Sequence, residues 1–205
     1  RIIPFRGEYY NIKPEKKDLV KGLIYPVPDP RFPFLGVHFT KTVHDGLVEA
    51  GPNAVLGWAR EAYRKINVNP KELLSTLSYP GFIRFALENW MIGFNEINRS
   101  FRKRVFVKDL QKMIPEIKSS DLMTGGAGVR AQAIGRDGEL IDDFAFEFTE
   151  KSIHVLNAPS PGATSSLVIG KYIANLAIDK LSAWLKKFFN IKFIYKLIKD
   201  NGIGL

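Results

Sequence analysis

Residues 125–148 read GGAGVRAQAIGRDGELIDDFAFEF, and this segment determines the class of fold. Apolar and polar residues alternate over 129–135 and again over 139–148, which is typical of half-buried strands. Arg136-Asp137-Gly138 lies between the two runs and is a turn signal. The segment therefore predicts an antiparallel hairpin, entered through a glycine-rich approach.

The elements on either side of the hairpin complete the pattern. Before it, strand-like runs are followed by helical ones, and Asn69 with Pro70 is typical of a helix start. After it comes a short strand and an apolar helix. The predicted strands are 2–12, 22–27, 34–42, 47–51 and 153–157, and the predicted helices begin at 69, 82, 104 and about 165. The sequence thus predicts an α+β protein whose mixed, largely antiparallel sheet carries a helical insertion.

Composition excludes several classes of protein. The chain has 205 residues, of which 45% are hydrophobic, so it can bury a substantial core. It has no cysteine and three histidines without metal-site spacing, so neither a disulfide framework nor a protein-ligated transition metal is expected. No run approaches the roughly 18 to 20 apolar residues that a membrane-spanning helix needs.

The net charge of +9 is concentrated at the C-terminus. Residues 180–205 carry six lysines against Asp200, and the rest of the chain is nearly balanced. Because no helix-turn-helix, zinc-finger or RNA-binding pattern is present, we expect no nucleic-acid partner. In this tail Leu181, Trp184, Leu185 and Phe188 form an apolar stripe. Such a basic amphipathic tail suits either the headgroup region of a membrane or a docked helix on the protein's own body.

Four residues introduce the last predicted core helix: Gly162, Ala163, Thr164 and Ser165. Small side chains leave the backbone N–H groups of a helix start accessible, and these donors attract negative charge. The start could receive a phosphate, a carboxylate or the anionic edge of a reduced flavin. The alternative is an ordinary helix cap.

Two further residues are candidates for chemistry. Arg130 follows three glycines and offers a planar fork for a carboxylate, or pairs with one of the aspartates at 142 and 143. His38 lies on a predicted strand, where a neutral imidazole could accept a proton or serve as a hydrogen-bonded structural residue. His44 and His154 are interpreted as structural.

Several strings, taken together, resemble the L-2-hydroxyglutarate dehydrogenase/oxidase family, within the FAD-dependent D-amino-acid oxidase/glycine oxidase group. They occur in family order and cover nearly all of residues 1–178. The strings are PFRGEYY (4–10), LIYPVPDPRFPFLGVHFT (23–40), GPNAVL (51–56), LQKMIPEI (110–117), GVRAQAIGRDGELIDDF (128–144) and NAPSPGATSSLVIG (157–170).

The resemblance implies an enzyme that takes a hydride from C2 of L-2-hydroxyglutarate, giving 2-oxoglutarate and reduced FAD, with a quinone or oxygen as final acceptor. It implies that Arg130 holds the substrate carboxylate and that 162–165 contact the flavin. It does not assign the base, for which His38 is our candidate. Candidates for holding the distal carboxylate are Arg6, Tyr9, Arg31, Thr40 and Lys41. We expect Arg130 and the helix start to face each other across a cleft.

The resemblance also implies a domain organisation. Residues 1–150 would be the substrate-binding domain, 151–179 the C-terminal part of an FAD-binding domain, and 180–205 a basic tail. The chain opens at Arg1 in a strand-like run and lacks a G-x-G-x-x-G turn, so we expect a C-terminal portion whose N-terminal FAD-binding half is missing. Alone, it is expected to be inactive.

These features predict a cytoplasmic protein that can lie peripherally on the inner face of the plasma membrane, or on the mitochondrial inner membrane in a eukaryote. Two alternatives remain open. One keeps the fold and changes the substrate to another 2-hydroxy acid, an amino acid or glycerol 3-phosphate. The other is a non-catalytic fragment that binds membrane surfaces through its basic residues.

Overall fold

A computed structural model describes residues 1–27, 36–43, 45–149, 152–158 and 162–188, the last eight through their backbone alone. The chain divides into two compact units, Arg1–Ile141 and Asp142–Leu205. The first unit contains β1 (Ile2–Ile12), β2 (Leu23–Ile24), β3 (His38–Lys41), β4 (Val48–Gly51), β5 (Val55–Leu56), α1 (Pro70–Leu77), α2 (Pro80–Glu88), α3 (Trp90–Phe101), α4 (Lys103–Leu110), β6 (Leu122–Ile134) and β7 (Leu140–Ile141). The second contains β8 (Ala145–Phe148), β9 (Ile153–Asn157) and α5 (Ser166–Phe188). This arrangement confirms the predicted α+β class.

The first unit is organised around one sheet in the order β2-β3-β4-β1-β6-β7, with β5 pairing a further part of β1. Every described pairing in it is antiparallel. The long strands β1 and β6 form its centre, and they pair from Ile2 opposite Ala133 to Ile12 opposite Leu122, with one shift of register between. This central pair fixes which side chains share a face.

A bulge interrupts the β1–β6 ladder. Glu8 lies opposite Ala127 and Tyr10 opposite Thr124, so β6 contains one more residue than β1 between these pairs. Gly125 lies in this interval, and a Cβ on it would come within 2.7 Å of the Tyr9 carbonyl oxygen. Only glycine permits that approach.

One face of the sheet, called the covered face below, is packed against α4 and the segment that follows it. Tyr10, Phe39 and Ala50 lie side by side on this face, because opposite residues in an antiparallel ladder point the same way. The Tyr10 ring meets the Phe106 ring edge-on at 4.9 Å. The buried members of this core are Ile12, Val20, Val37, Phe39, Val48, Ala50, Phe106, Val107, Leu110, Ile114, Ile117 and Leu122.

A second, smaller core lies on the other face, near the start of β1. Ile3, Phe5 and Ile134 pack there against Phe82 and Phe85 of α2. The rings of Phe5 and Phe85 meet edge-on at 6.1 Å. This contact covers one end of that face only.

The helices follow the sequence signals with one difference. The side chain of Asn69 caps α1 by accepting from the N–H groups of Lys71 and Glu72, and Pro70 occupies the first helical position, as predicted. The sequence predicts one helix between the starts at 82 and 104, but the structure has two there, α2 and α3. The break between them falls at Asn89, whose side-chain amide donates to the Phe85 carbonyl at 2.9 Å and competes with helical pairing.

The second unit is a two-stranded sheet and one helix. β8 pairs with β9 in antiparallel fashion, and the rings of Phe144 and Phe146 lie about the Tyr172 ring of α5 at 6.2 and 6.0 Å. The predicted hairpin is therefore only partly formed: β6 pairs with β7 over two residues, and 145–148 pair with β9 instead. The side chain of Asp143 accepts from the Phe144 N–H at 2.7 Å, at the point where the run of strand is interrupted.

No helix within the described residues is both long and apolar enough to cross a bilayer. α5 continues well past the predicted end near 178 and reaches Phe188. Residues 189–205 of the predicted basic tail lie outside the described part of the chain.

Candidate active site

The sheet of the first unit carries a group of polar and aromatic side chains on the face opposite the main core. His38 is paired with Gly51 and Arg130 with Phe5, and both residues alternate with members of the covered face. Tyr9 alternates with Tyr10 in the same way. These side chains form what is called the open face below: Tyr9, His38, Thr40, Glu49 and Arg130. Three residues proposed from sequence, Tyr9, His38 and Arg130, are thus brought to one surface.

His38 is held in a defined orientation on this face. Its ring stacks on the Tyr25 ring, with centroids 4.2 Å apart and an angle of 19° between planes. Its Nδ1 lies 3.2 Å from the Gly36 carbonyl oxygen. A carbonyl can only accept, so Nδ1 carries the proton in this contact and Nε2 keeps a lone pair. The arrangement leaves Nε2 as the atom able to take a proton.

The protonation state of His38 suits such a role. Burial lowers its pKa below the ordinary value, and the contact with the Gly36 carbonyl opposes this only in part. The imidazole is therefore neutral at pH 7. A neutral imidazole with an unprotonated Nε2 can act as a general base.

Tyr9 is a hydrogen-bond donor at any physiological pH. Burial raises the pKa of its phenol, and the negative charge of Glu49 and the neighbouring Tyr25 raise it further. Because the O–H stays protonated, it can donate to a carboxylate. It cannot repel one by ionising.

Arg130 is exposed on β6, and the glycine two residues before it keeps that strand accessible. A Cβ placed on Gly128 would meet no atom within 4 Å. An anion can therefore approach the strand beside the guanidinium without displacing a side chain. A guanidinium has two parallel N–H donors, which is the arrangement that a carboxylate accepts from in bidentate fashion.

Other sequence candidates take different positions. Arg6 is on the covered face, only 7% exposed, and its Nη2 pairs with Glu8 Oε1 at 2.9 Å. Register places Lys41 with Phe39 on the covered face as well. Thr40 joins the open face, where its hydroxyl lies 3.4 Å from the Tyr25 hydroxyl. Arg31 and His44 lie outside the described residues.

Tyr25 and Glu49 belong to this face and were missed from sequence. Tyr25 follows β2 and stacks on His38, while Glu49 acts on the pKa of Tyr9. A signal was present, since residues 22–27 and 34–42 were both predicted as strands. If they pair in antiparallel fashion around their loop, an aromatic residue at the end of one comes opposite the histidine of the other.

The second unit contains the helix start at 162–165. These residues form a turn in which the Ser166 N–H donates to the Ala163 carbonyl at 3.3 Å, and Ile169 N–H to Ser165 at 3.0 Å. Ala163 and Thr164 are exposed, and the geometry of a helix leaves its first N–H groups without intrahelical acceptors. This donor set, with only small side chains in front of it, fits the electron-rich pyrimidine edge of a flavin.

His154 remains apart from these groups. It lies on β9 and its Nε2 is 2.8 Å from the Ser152 hydroxyl, a local contact consistent with the structural interpretation. Within the described residues, no cluster of histidine and acidic side chains is arranged to hold a metal ion. The expectation that Arg130 and the helix start face each other across a cleft stays a prediction.

Comparison with known proteins matches the chain to one family. A family model described as FAD dependent oxidoreductase, DAO, matches residues 1–176. The L-2-hydroxyglutarate dehydrogenase of Indibacter alkaliphilus is 58% identical over 180 residues, covering 88% of this chain and 45% of the relative. The mitochondrial L-2-hydroxyglutarate dehydrogenase of Homo sapiens is 49% identical over 180 residues, covering 85% of the chain and 39% of the relative. The Escherichia coli L-2-hydroxyglutarate dehydrogenase is 47% identical over 174 residues, covering 85% of this chain and 41% of the relative. The chain spans less than half the length of these curated relatives.

Proposed function

The chain belongs to the DAO family of FAD-dependent oxidoreductases, as the resemblance predicted, and on that premise we propose that it serves the oxidation of L-2-hydroxyglutarate to 2-oxoglutarate. The observation that carries this proposal is the shared face of Tyr9, His38 and Arg130. A 2-hydroxy acid needs a cation for its carboxylate and a base for its hydroxyl, and this face offers both. The names of the relatives support the choice of substrate.

Arg130 takes the role of anchor for the C1 carboxylate. Two parallel N–H donors hold a carboxylate in one plane and in one orientation, so C2 is positioned without a covalent bond to the protein. A lysine could supply the charge but not the orientation.

His38 takes the role of base for the C2 hydroxyl. Its Nε2 accepts the hydroxyl proton, while Nδ1 stays bonded to the Gly36 carbonyl and the ring stays stacked on Tyr25. Tyr9 donates to a carboxylate oxygen of the substrate, and Thr40 lies on the same face of the sheet. When bound, FAD supplies the acceptor for the C2 hydride.

In the second unit, the N–H groups of 162–165 take the role of donors to the flavin ring edge. Fixed donors at a helix start stabilise negative charge without reorganising. We assign 1–150 to a substrate-binding domain, 151–179 to the C-terminal part of an FAD-binding domain and 180–205 to a basic tail. We further propose a quinone or oxygen as electron acceptor and a peripheral position on an inner membrane surface.

The test is anaerobic reduction of the bound flavin, using the protein expressed from its complete coding sequence. L-2-Hydroxyglutarate should bleach the flavin band near about 450 nm, whereas D-2-hydroxyglutarate, L-glutamate and glycerol 3-phosphate should not. Bleaching by another compound of this panel, with L-2-hydroxyglutarate inert, would replace the substrate and keep the family.

A further inference from the structure

Helix α3 presents its apolar residues outward. Trp90, Phe94, Ile97 and Phe101 recur at the spacing of one helical face, and they are 64%, 65%, 52% and 68% exposed. These four residues are called the α3 stripe below. A surface helix of a globular domain normally turns such a stripe toward the core.

The inward face of α3 is polar, and specific bonds hold it there. The Ser100 hydroxyl donates to Glu8 Oε2 at 2.6 Å, and Glu96 Oε2 accepts from the Ala54 N–H at 2.9 Å. Arg99 pairs with Asp109 of α4 at 2.7 Å. Rotating the helix to bury its stripe would break all three contacts and leave Glu8 with fewer partners, so the outward stripe is a built feature.

The surroundings of the stripe are basic. Directly after Phe101, Arg102 and Arg104 are exposed, and Lys108 follows one turn later on the outer side of α4. These three residues are called the basic rim below. Residues 80–112 contain seven basic side chains against three acidic ones. A narrow apolar ridge with a tryptophan at one end and cations at the other matches a helix lying in the headgroup region of a bilayer.

The size of the α3 stripe also favours a bilayer over a protein partner. α3 has 12 residues, which corresponds to a length of about 18 Å. Four side chains along it fall well short of the roughly 800 Å² that each partner contributes to a stable protein interface. A bilayer needs no matching surface, only apolar side chains that reach the acyl boundary and cations near anionic headgroups.

We propose that the α3 stripe and the basic rim dock the protein on an anionic lipid bilayer. This surface is separate from the tail at 180–205. It does not depend on the identity of the substrate, because the open face of the sheet contributes none of its residues.

The first test is co-flotation of the FAD-loaded protein, expressed from its complete coding sequence, with vesicles. Wild type should float with vesicles of equal parts phosphatidylglycerol and phosphatidylcholine. The double variant Trp90→Gln, Phe94→Gln should lose binding by about tenfold or more, since two aromatic side chains no longer enter the interface. The variant Arg104→Gln, Lys108→Gln should lose the preference for anionic vesicles. Val43→Gln, a control at an apolar residue on the β3–β4 loop that is even more exposed than Trp90 and Phe94, should bind like wild type.

The second test observes insertion directly. Replacing Trp58 and Trp184 by phenylalanine, together with any tryptophan that the complete coding sequence carries outside these 205 residues, leaves Trp90 as the sole tryptophan. Its fluorescence should shift to the blue on adding anionic vesicles and should be quenched by brominated acyl chains. Turnover with a soluble dye as electron acceptor should be the same in the Trp90→Gln, Phe94→Gln variant, which separates a failure of docking from a failure of the proposed reaction.

Three results would overturn the proposal. Unchanged vesicle binding in the stripe variant, with binding lost on truncation after Asp179, would place the contact in the tail. Loss of flavin or a large fall in Tm in the stripe variant would show that protein covers the stripe. A change from dimer to monomer in light scattering would show that a second copy does.

Discussion

The two faces of the central sheet are built from alternate residues of the same strands, and they differ in nearly every physical property. On the covered face Phe39, Val48 and Ala50 are fully buried against α4 and its successor segment. On the open face Tyr9, His38 and Glu49 are only partly buried, and burial raises one pKa and lowers another. The covered face contributes the larger hydrophobic core, while the open face, apart from the smaller core under α2, carries groups that are partly desolvated at a cost. This difference makes the effects of substitution on the two faces separable.

Substitution of Arg130 should give the largest effect. Arg130→Met should lower kcat/KM by about 10³- to 10⁴-fold, because two charge-assisted hydrogen bonds to the carboxylate are lost. Steady-state kinetics with a soluble acceptor measure this. The kcat/KM of Arg130→Lys should lie between those of wild type and Arg130→Met. The control Arg136→Met removes an exposed arginine from the β6–β7 turn, and its kcat/KM should be near that of wild type. An equal loss of kcat/KM in Arg130→Met and Arg136→Met would show that the position of Arg130 on the open face has no special role.

On the covered face, Phe106→Ala should lower the free energy of unfolding by about 4 kcal/mol, through lost transfer energy and a cavity beside Tyr10. Urea unfolding measures it, with KM as a second readout that should not change. Phe101→Ala, the same substitution at a 68% exposed position, should change stability by less than about 0.5 kcal/mol. Comparable losses for the two would mean that protein covers the α3 stripe.

His38→Gln should reduce kcat by about 10²-fold with a small change in KM. Because burial lowers the pKa of His38, the wild-type imidazole is neutral at pH 7. It gains its proton only when the pH falls below the ordinary pKa of histidine. The wild-type rate should therefore decline on the acid side through that lowered pKa. A pH profile of kcat for His38→Gln that keeps the same acid limb would assign the base elsewhere.

Tyr9→Phe should give the smallest effect, a rise in KM of about tenfold with kcat nearly unchanged, through loss of one hydrogen bond to an anion. Since the phenol pKa is raised, substrate binding by wild type should stay flat up to at least the ordinary tyrosine range. KM measured against pH checks both points. A fall in kcat larger than the rise in KM would make Tyr9 part of the proton-transfer step.

Local sequence predicted individual elements better than it predicted their partners. The 11-residue strand β1, the Asn69–Pro70 helix start and the strand at 153–157 were found because alternation and capping are local signals. The predicted pairing of 145–148 with β6 was wrong, since strand pairing is decided by contacts between residues far apart in the sequence. The candidates Tyr9, His38 and Arg130 were chosen by residue type. That they share a face depends on the register of β3, β4, β1 and β6, which is set by non-local pairing.

The additional residue in β6 reverses the side of the sheet to which the residues after it project. Leu122 and Arg130 are eight positions apart, so in an uninterrupted strand both would project to the same side. The bulge reverses this parity: Leu122 enters the main core opposite Ile12, and Arg130 emerges on the other side opposite Phe5. A single strand thereby anchors the hydrophobic interior at one end and presents a cation at its other end. If Gly125 were deleted, Leu122 and Arg130 would project to the same side of the sheet. Either the guanidinium would then be buried or the leucine would be exposed.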